Sequence, residues 1–142
     1  MPEMTGRCLC GAVRFTAHEP QAHVGACHCD MCRRWTGGPL MAVECGSRLT
    51  VDEGEDCVKA YRSSDWAERA FCAQCGSGLW YKFLPQDAFI VSAGLFDDQS
   101  DFRFTEQVFV EEKPDWYDFA NKTARKTGAE LAAESGVGGD EG

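Results

Sequence analysis

The spacing of the cysteines constrains the fold of this chain more than any other feature. Seven of its nine cysteines fall into three close-spaced groups, which are Cys8 with Cys10, Cys27 with Cys29 and Cys32, and Cys72 with Cys75. Thiolates at such spacing are typical ligands of zinc, which proteins hold in a tetrahedral shell. A metal ion that joins groups distant in the sequence requires the turns that carry them to meet.

The first and third groups together supply a complete shell of four thiolates. Each of these two groups is followed by a glycine, which allows the tight turn by which two neighbouring thiolates reach one ion. We therefore predict a structural zinc site, with the ligands Cys8, Cys10, Cys72 and Cys75. The alternative is a redox dithiol at the third group, but such a dithiol is typical of a helix N-terminus in a βαβ unit, which the sequence does not show.

The middle group supplies only three thiolates. A zinc ion held by three protein ligands keeps its fourth position for water or substrate, which is the mark of a catalytic site. We predict such a site, with the catalytic ligands Cys27, Cys29 and Cys32. Two alternatives stay open, a closed site completed by a histidine and a set of metal-free reactive thiols. His28 would point to the opposite face from its neighbours if this segment is extended.

Two arginines directly follow the middle group. Arg33 and Arg34 would offset the negative charge of three thiolates on zinc, and their planar side chains could bind a substrate carboxylate. The alternative is that both are solvated surface residues. The two remaining cysteines, Cys45 and Cys57, stand alone in the sequence, and we expect them to be small core residues.

The hydrophobic pattern predicts a mostly β fold of short antiparallel strands. Runs of β-branched and aromatic residues recur between turn residues, at positions 11–17, 24–27, 40–45, 48–52, 58–62, 68–71, 79–83, 89–93 and 104–110. Two short helices are predicted, over 30–36 with Asp30 as N-cap and over 114–120 with Pro114 near the first turn. Residues 1–127 are expected to form one domain, and residues 128–142 an acidic, disordered tail.

Charge and composition exclude some classes of partner. The net charge of −9 argues against a general binder of nucleic acid or of an anionic membrane, since both need a basic face. The sequence shows no signal peptide and no apolar run long enough to span a membrane, so we expect a cytoplasmic protein with reduced thiols. Exposed edge strands would allow a homodimer, but nothing in the residues requires one.

The ordered series of cysteine groups resembles one known family. The matching segments are Gly6-Arg7-Cys8-Leu9-Cys10-Gly11-Ala12-Val13-Arg14-Phe15, then Cys27-His28-Cys29 with Cys32-Arg33, then Phe71-Cys72 with Cys75-Gly76-Ser77. They are similar to the glutathione-dependent formaldehyde-activating family, also called the centromere protein V family, over residues 6 to 110. The resemblance implies a Mss4-like, mostly β fold with two zinc ions, one in each of the sites predicted above.

The resemblance also implies an activity. Members of the family with the named activity condense formaldehyde with glutathione to S-(hydroxymethyl)glutathione, a reaction classed under carbon-sulfur lyases, so a small thiol such as glutathione is the expected partner. Those members carry glycine at the position of His28. Two other functions stay open: a non-enzymatic binding module in which zinc is purely architectural, and a protein whose middle group serves redox chemistry or metal buffering.

Overall fold

A computed structural model of the chain describes residues 2–135. The chain forms two compact units, of which unit 1 comprises Met1–Ala22 and Ala42–Phe102, and unit 2 comprises His23–Met41 and Arg103–Gly142. Strands dominate the described residues and only two α-helices occur there, which confirms the predicted mostly β class. No helix in the described part of the chain is both long and apolar enough to cross a membrane.

Unit 1 contains two antiparallel sheets. Its strands are β1 (Met4–Arg7), β2 (Arg14–Ala17), β4 (Leu40–Glu44, which enters the unit at Ala42), β5 (Leu49–Glu53), β6 (Val58–Ser64), β7 (Ala67–Cys72), β8 (Gly78–Phe83) and β9 (Ala88–Ser92). One sheet has the order β1-β2-β5 and the other the order β4-β9-β8-β7-β6. Sequence neighbours pair in most cases, as expected for strands joined by short turns.

Aromatic rings fill the core of unit 1. Phe15, on β2, is fully buried, and its ring makes edge contacts with Trp80 at 5.9 Å and Phe96 at 5.5 Å between centroids. Each such side chain removed from water contributes about 1.5–3 kcal/mol. Cys45 is also fully buried, as predicted, whereas Cys57 is only half-buried because it lies in a short 3-10 turn before β6.

Unit 2 is built on parallel pairing. Its elements are β3 (His23–Cys27), α1 (Asp30–Thr36), β10 (Arg103–Val108), β11 (Ala124–Lys126) and α2 (Gly128–Ser135). β10 lies between β3 and β11 and is parallel to both, with Val108 opposite Cys27. Parallel strands need long crossover connections, so this arrangement depends on contacts between distant parts of the sequence.

The structure corrects two of the predicted helix features. The N-cap of α1 is Cys29 and not Asp30, because the Cys29 Sγ accepts a hydrogen bond from the Cys32 N–H at 3.3 Å. No helix forms over 114–120, where the chain makes a turn and then runs irregularly. Tyr117 and Phe119 there both contact the ring of His28, and residues two apart share a side in extended chain but not in a helix.

The ends of the chain also differ from expectation. β1 and β11 were not predicted, since short strands without a clear alternation leave little signal in the sequence. The acidic segment from Gly128 forms α2 as far as Ser135. Residues 136–142 lie outside the described residues, so a disordered tail remains a prediction there, as does a single domain over 1–127.

Candidate metal centres

The first and third cysteine groups meet in unit 1. The Sγ atoms of Cys8, Cys10, Cys72 and Cys75 all lie within 4.8 Å of one another. Adjacent pairs are closer, at 3.6 Å between Cys8 and Cys10 and 3.9 Å between Cys10 and Cys72. We call these four residues the four-thiol cluster. Four sulfurs gathered in this way match the tetrahedral shell that zinc prefers.

Two tight turns bring these sulfurs together. The β1–β2 turn is closed by a hydrogen bond from Gly11 N–H to the Cys8 carbonyl, and the β7–β8 turn by one from Gly76 N–H to the Cys72 carbonyl, at 3.1 and 2.8 Å. Both glycines have φ of +81°, which side chains disfavour, and this confirms the expected reason for glycine at both positions. The turns also place donors near sulfur, such as the Val13 N–H, 3.3 Å from Cys8 Sγ.

These donors favour the thiolate form of Cys75 and Cys8. Hydrogen bonds from the hydroxyl and backbone of Ser77 lower the pKa of the Cys75 thiol to about 5. Burial opposes ionisation of Cys8, but the Val13 N–H and neighbouring thiols outweigh it and lower the Cys8 pKa. Several thiolates in one place repel one another unless a cation neutralises them, so this donor set fits a zinc ion.

The middle group meets in unit 2, where strand β3 passes into helix α1. Cys27 ends β3, Cys29 caps α1 and Cys32 lies in the first turn of the helix, so their three Sγ atoms come within 4.8 Å of one another. Cys29 and Cys32 are buried, while Cys27 is half-buried. We call these three residues the three-thiol cluster.

One thiol of the three-thiol cluster, that of Cys27, holds its proton tightly. Hydrogen bonding to Cys29 and Cys32, followed by burial, raises the pKa of the Cys27 thiol well above its ordinary value. A zinc ion among the three sulfurs would reverse this effect, because metal binding releases thiol protons. The three thiols are therefore a suitable set of ligands for a zinc ion.

No histidine completes the three-thiol cluster among the described residues. The ring of His28 is fully buried, with Nδ1 2.7 Å from Tyr117 Oη and Nε2 2.8 Å from Gln107 Oε1. Its side chain therefore lies away from the cluster, as expected for a residue between two neighbours in extended chain. Among the described residues, no His, Asp, Glu or further Cys joins this cluster as a fourth ligand.

The contacts of His28 come from residues far from it in the sequence. Gln107 and Tyr117 follow it by 79 and 89 residues, and Gln107 Nε2 in turn donates to Thr123 Oγ1 at 2.9 Å. Burial raises the pKa of Tyr117, against the effect of Arg33. The local signal for these contacts is the group of aromatic residues after β10, which lies within the predicted helix over 114–120.

The two arginines after the cluster differ in their surroundings. Arg34 is largely exposed and pairs with Asp30 one helical turn earlier, at 2.9 Å. The side chain of Arg33 is 26% exposed, and its Nε donates to the His28 carbonyl at 2.9 Å. The exposed ion pair between Arg34 and Asp30 contributes little to stability. The role of either arginine in binding a substrate stays a prediction.

The chain is similar in sequence to known proteins. The family model described as glutathione-dependent formaldehyde-activating enzyme matches residues 3–112. A Schizosaccharomyces pombe protein named as an uncharacterized lyase is 40% identical over 128 residues, which is 89% of this chain and 93% of that protein. A Halomonas elongata protein, provisionally named a glutathione-dependent formaldehyde-activating enzyme, is 31% identical over 130 residues, covering 84% and 82% of the two chains.

A solved structure is similar as well. The crystal structure of a Rhodobacter sphaeroides protein superposes with a TM-score of 0.55 and 25% identity, over 66% of this chain and 88% of that one. The family match extends over both clusters and over most of the described residues. The chain therefore belongs to the glutathione-dependent formaldehyde-activating enzyme family.

Proposed function

We propose that this chain is a zinc-dependent carbon-sulfur lyase that acts on S-(hydroxymethyl)glutathione or on a related pair of thiol and aldehyde. The observation that carries the proposal is the three-thiol cluster, in which three sulfurs converge without a fourth protein ligand among the described residues. Membership of an enzyme family, and a relative named as a lyase, support it.

The zinc ion of this site would be held by Cys27, Cys29 and Cys32. When bound, zinc supplies a vacant coordination position at which a thiolate can be held, while three thiolate ligands make it a weak Lewis acid for activating water. The four-thiol cluster would hold a second zinc ion with no vacant position, in a structural role.

The reaction is a reversible addition. In the synthetic direction the glutathione thiol releases its proton to solvent, and the electron pair of the sulfur forms the C–S bond to the aldehyde carbon. The C=O π pair moves to oxygen, which takes a proton from solvent. In the lyase direction the hydroxyl proton leaves, the C=O bond forms, and the C–S pair returns to sulfur. The protein gains most by holding the thiol and the aldehyde together, because proximity removes the entropic cost of their encounter.

The substrate carboxylates would be recognised by positive charge near the cluster. Arg33 and Arg34 are our candidates, since both lie on α1 and the planar guanidinium group matches a carboxylate. The partly buried Arg33, restrained by the His28 carbonyl, is the better placed of the two to bind in a defined geometry.

The test is zinc stoichiometry and turnover in matched cysteine variants. Native mass spectrometry of the purified protein is expected to show two zinc ions, with the second carrying glutathione when the thiol is added. Cys29→Ser should lose the second zinc and the turnover of formaldehyde with glutathione, but keep the fold, since serine is also a good N-cap. Cys57→Ser, outside both clusters, is the control and should keep both zinc ions.

Two results would contradict the proposal. Turnover that survives in Cys29→Ser without the second zinc would exclude the three-thiol cluster as the site. A wild-type protein with one zinc ion, unaffected by glutathione, would favour redox chemistry or a binding module. Four further expectations from the sequence stay predictions. They are the Mss4-like fold, the cytoplasmic location, the lack of nucleic-acid and membrane partners, and the homodimer.

A further inference from the structure

Strand β6 lies at the end of its sheet, with β7 on one side and no strand on the other among the described residues. It has seven residues, more than any other strand in the described part of the chain. Proteins usually keep edge strands short, because a row of unpaired main-chain groups is a template for pairing with another chain. The position of the longest described strand at an open edge therefore indicates a partner.

The hydrogen bonds between β6 and β7 show which main-chain groups of β6 face the open edge. Just before β6 begins, the Cys57 carbonyl accepts from the Ala73 N–H at 2.7 Å, and the register continues from this pair without a shift as far as Arg62. Hydrogen-bonded pairs alternate along an antiparallel ladder with pairs whose main-chain groups point away. The N–H and C=O groups of Lys59 therefore face β7, whereas those of Ala60 and Arg62 face the open edge.

The side chains leave this edge accessible. The four central residues of the strand are all exposed, and they are Lys59, Ala60, Tyr61 and Arg62. The side chain of Tyr61 is a large ring for a surface position, and this residue is 65% exposed. The Arg62 guanidinium is held by the carbonyl oxygens of Ser64 and Asp65 in the turn of its own hairpin, at 2.9 and 2.7 Å. A second strand can therefore approach β6 from the side.

A second copy of this chain matches the edge. Antiparallel pairing about a two-fold axis at Tyr61 would set Ala60 of each copy opposite Arg62 of the other, so that the outward N–H and C=O groups of both residues all find partners. The two Tyr61 residues would then form a non-hydrogen-bonded pair, in which side chains come closest. Aromatic side chains at such a position stabilise the pairing of two strands.

The charges of the edge are complementary in the same arrangement. Lys59 would lie opposite Ser63 of the second copy and diagonal to its exposed Asp65, within the reach of a long side chain. The two-fold axis repeats this contact, so a pair of opposite charges flanks the tyrosines on each side. Charge therefore favours a second copy in this register.

The neighbouring registers fit less well. An axis at Arg62 would set two arginines directly opposite each other, and like charges at that position are destabilising. An axis at Ala60 would set Arg62 opposite Val58, whose N–H is already bonded to the Glu55 carbonyl. The axis at Tyr61 is therefore the one that satisfies both the hydrogen bonds and the charges.

We propose that two copies of this chain associate through antiparallel pairing of their β6 edges, in a two-fold dimer whose axis passes at Tyr61. The inference does not depend on the proposed reaction, since it uses no residue of either thiol cluster. One pair of strands buries less surface than a standard interface, so the dimer forms at micromolar or higher concentrations of the chain.

The first test is residue-resolved hydrogen exchange, measured by NMR on the purified full chain with sedimentation velocity in parallel. As the concentration rises about a hundredfold through the micromolar range, the N–H groups of Ala60 and Arg62 should become protected from exchange. The N–H groups of Lys59 and Tyr61 bond to β7 and should be protected at every concentration. This alternation along one strand is the signature of pairing at the β6 edge.

The second test uses variants of the edge. Ala60→Pro removes an N–H that takes no part in the ladder with β7, so it should keep the fold and abolish the dimer. Ala60→Val keeps the N–H and is the matched control, which should keep the dimer. Tyr61→Ala should raise the dissociation constant about two- to tenfold, the range for one aromatic pair. Trp116→Ala, at an exposed tryptophan outside the edge, should leave it unchanged.

Three results would overturn the inference. A wild type that stays monomeric at the highest concentration would exclude the dimer and leave the edge to an extended segment of another protein. A dimer in which exchange at Ala60 and Arg62 does not depend on concentration, or one that persists in a folded Ala60→Pro variant, would place the interface elsewhere. Circular dichroism and zinc content establish folding, and if Ala60→Pro does not fold, an unchanged dissociation constant in Tyr61→Ala overturns the inference instead.

Discussion

The cysteines of this chain differ in chemistry because their surroundings differ. The Ser77 hydrogen bonds lower the pKa of Cys75 to about 5, whereas burial and then the Glu44 charge raise that of Cys45 to about 12. Residue type alone would assign both thiols the ordinary value of 9.0. Local donors and burial therefore give the thiols of Cys75 and Cys45 very different acidities, although the residue type is the same.

Cys45 should make the stability of the protein depend on pH. Its pKa is raised in the folded state, so its contribution is fully present below its unfolded value of 9.0 and is lost as the pH rises toward about 12. We expect the wild type to lose about 1 kcal/mol of unfolding free energy between about pH 8 and pH 10 relative to Cys45→Ala. Urea unfolding at both pH values checks this, and equal losses in the two proteins would refute it.

At the scale of the element, helix α1 is organised by its first turn. Two acceptors satisfy its N-terminal N–H groups, the Cys29 Sγ and the carboxylate of Glu112, which lies 2.8 Å from the Asp30 N–H. Unpaired N–H groups at this end would cost free energy. Because Cys29 and Cys32 belong to the three-thiol cluster, the cap also sets the positions of two sulfurs.

Removal of the Glu112 carboxylate should therefore weaken α1. Glu112→Ala is expected to lower the free energy of unfolding by about 1 kcal/mol, the usual value of a lost cap. Glu112→Gln keeps an acceptor oxygen and is the matched control, which should lose less than half as much. Urea unfolding measures both, and an alanine variant as stable as the wild type would show that solvent replaces the carboxylate.

The predicted elements agree with the structure in some segments and differ from it in others. The strands Leu40–Glu44 and Gly78–Phe83 agree within one residue with the predicted ranges 40–45 and 79–83, because alternation and flanking turn residues are local signals. The segment 114–120 was wrongly assigned to a helix, because Tyr117 and Phe119 turn toward His28. Such contacts override the weak preference of a short segment for helix.

At the scale of the whole molecule, the four-thiol cluster links the two sheets of unit 1. Cys8 and Cys10 lie in the turn after β1, in one sheet, while Cys72 and Cys75 lie at the turn after β7, in the other. A zinc ion there would act as a cross-link between turns that are far apart in the sequence. The three-thiol cluster joins only neighbouring elements, β3 and α1.

The two clusters should therefore respond differently to loss of metal. Cys75→Ser is expected to lower the free energy of unfolding by several kcal/mol, roughly a third or more of the usual stability of a domain, because metal binding in such sites is coupled to folding. Cys29→Ser, which keeps a cap, should change it by no more than about 1 kcal/mol. Thermal melting with zinc analysis checks the contrast, and equal melting temperatures would contradict the division of roles.

The sequence by itself determined the two sets of cysteines and the mostly β class. Both depend on information held within a few residues, namely the spacing of thiols around a glycine turn and the alternation of strand residues. The tertiary structure alone decided which side chains surround His28. Gln107 and Tyr117 reach His28 because β10 pairs in parallel with β3 and the chain then returns, and no local pattern encodes a contact across 79 or 89 residues.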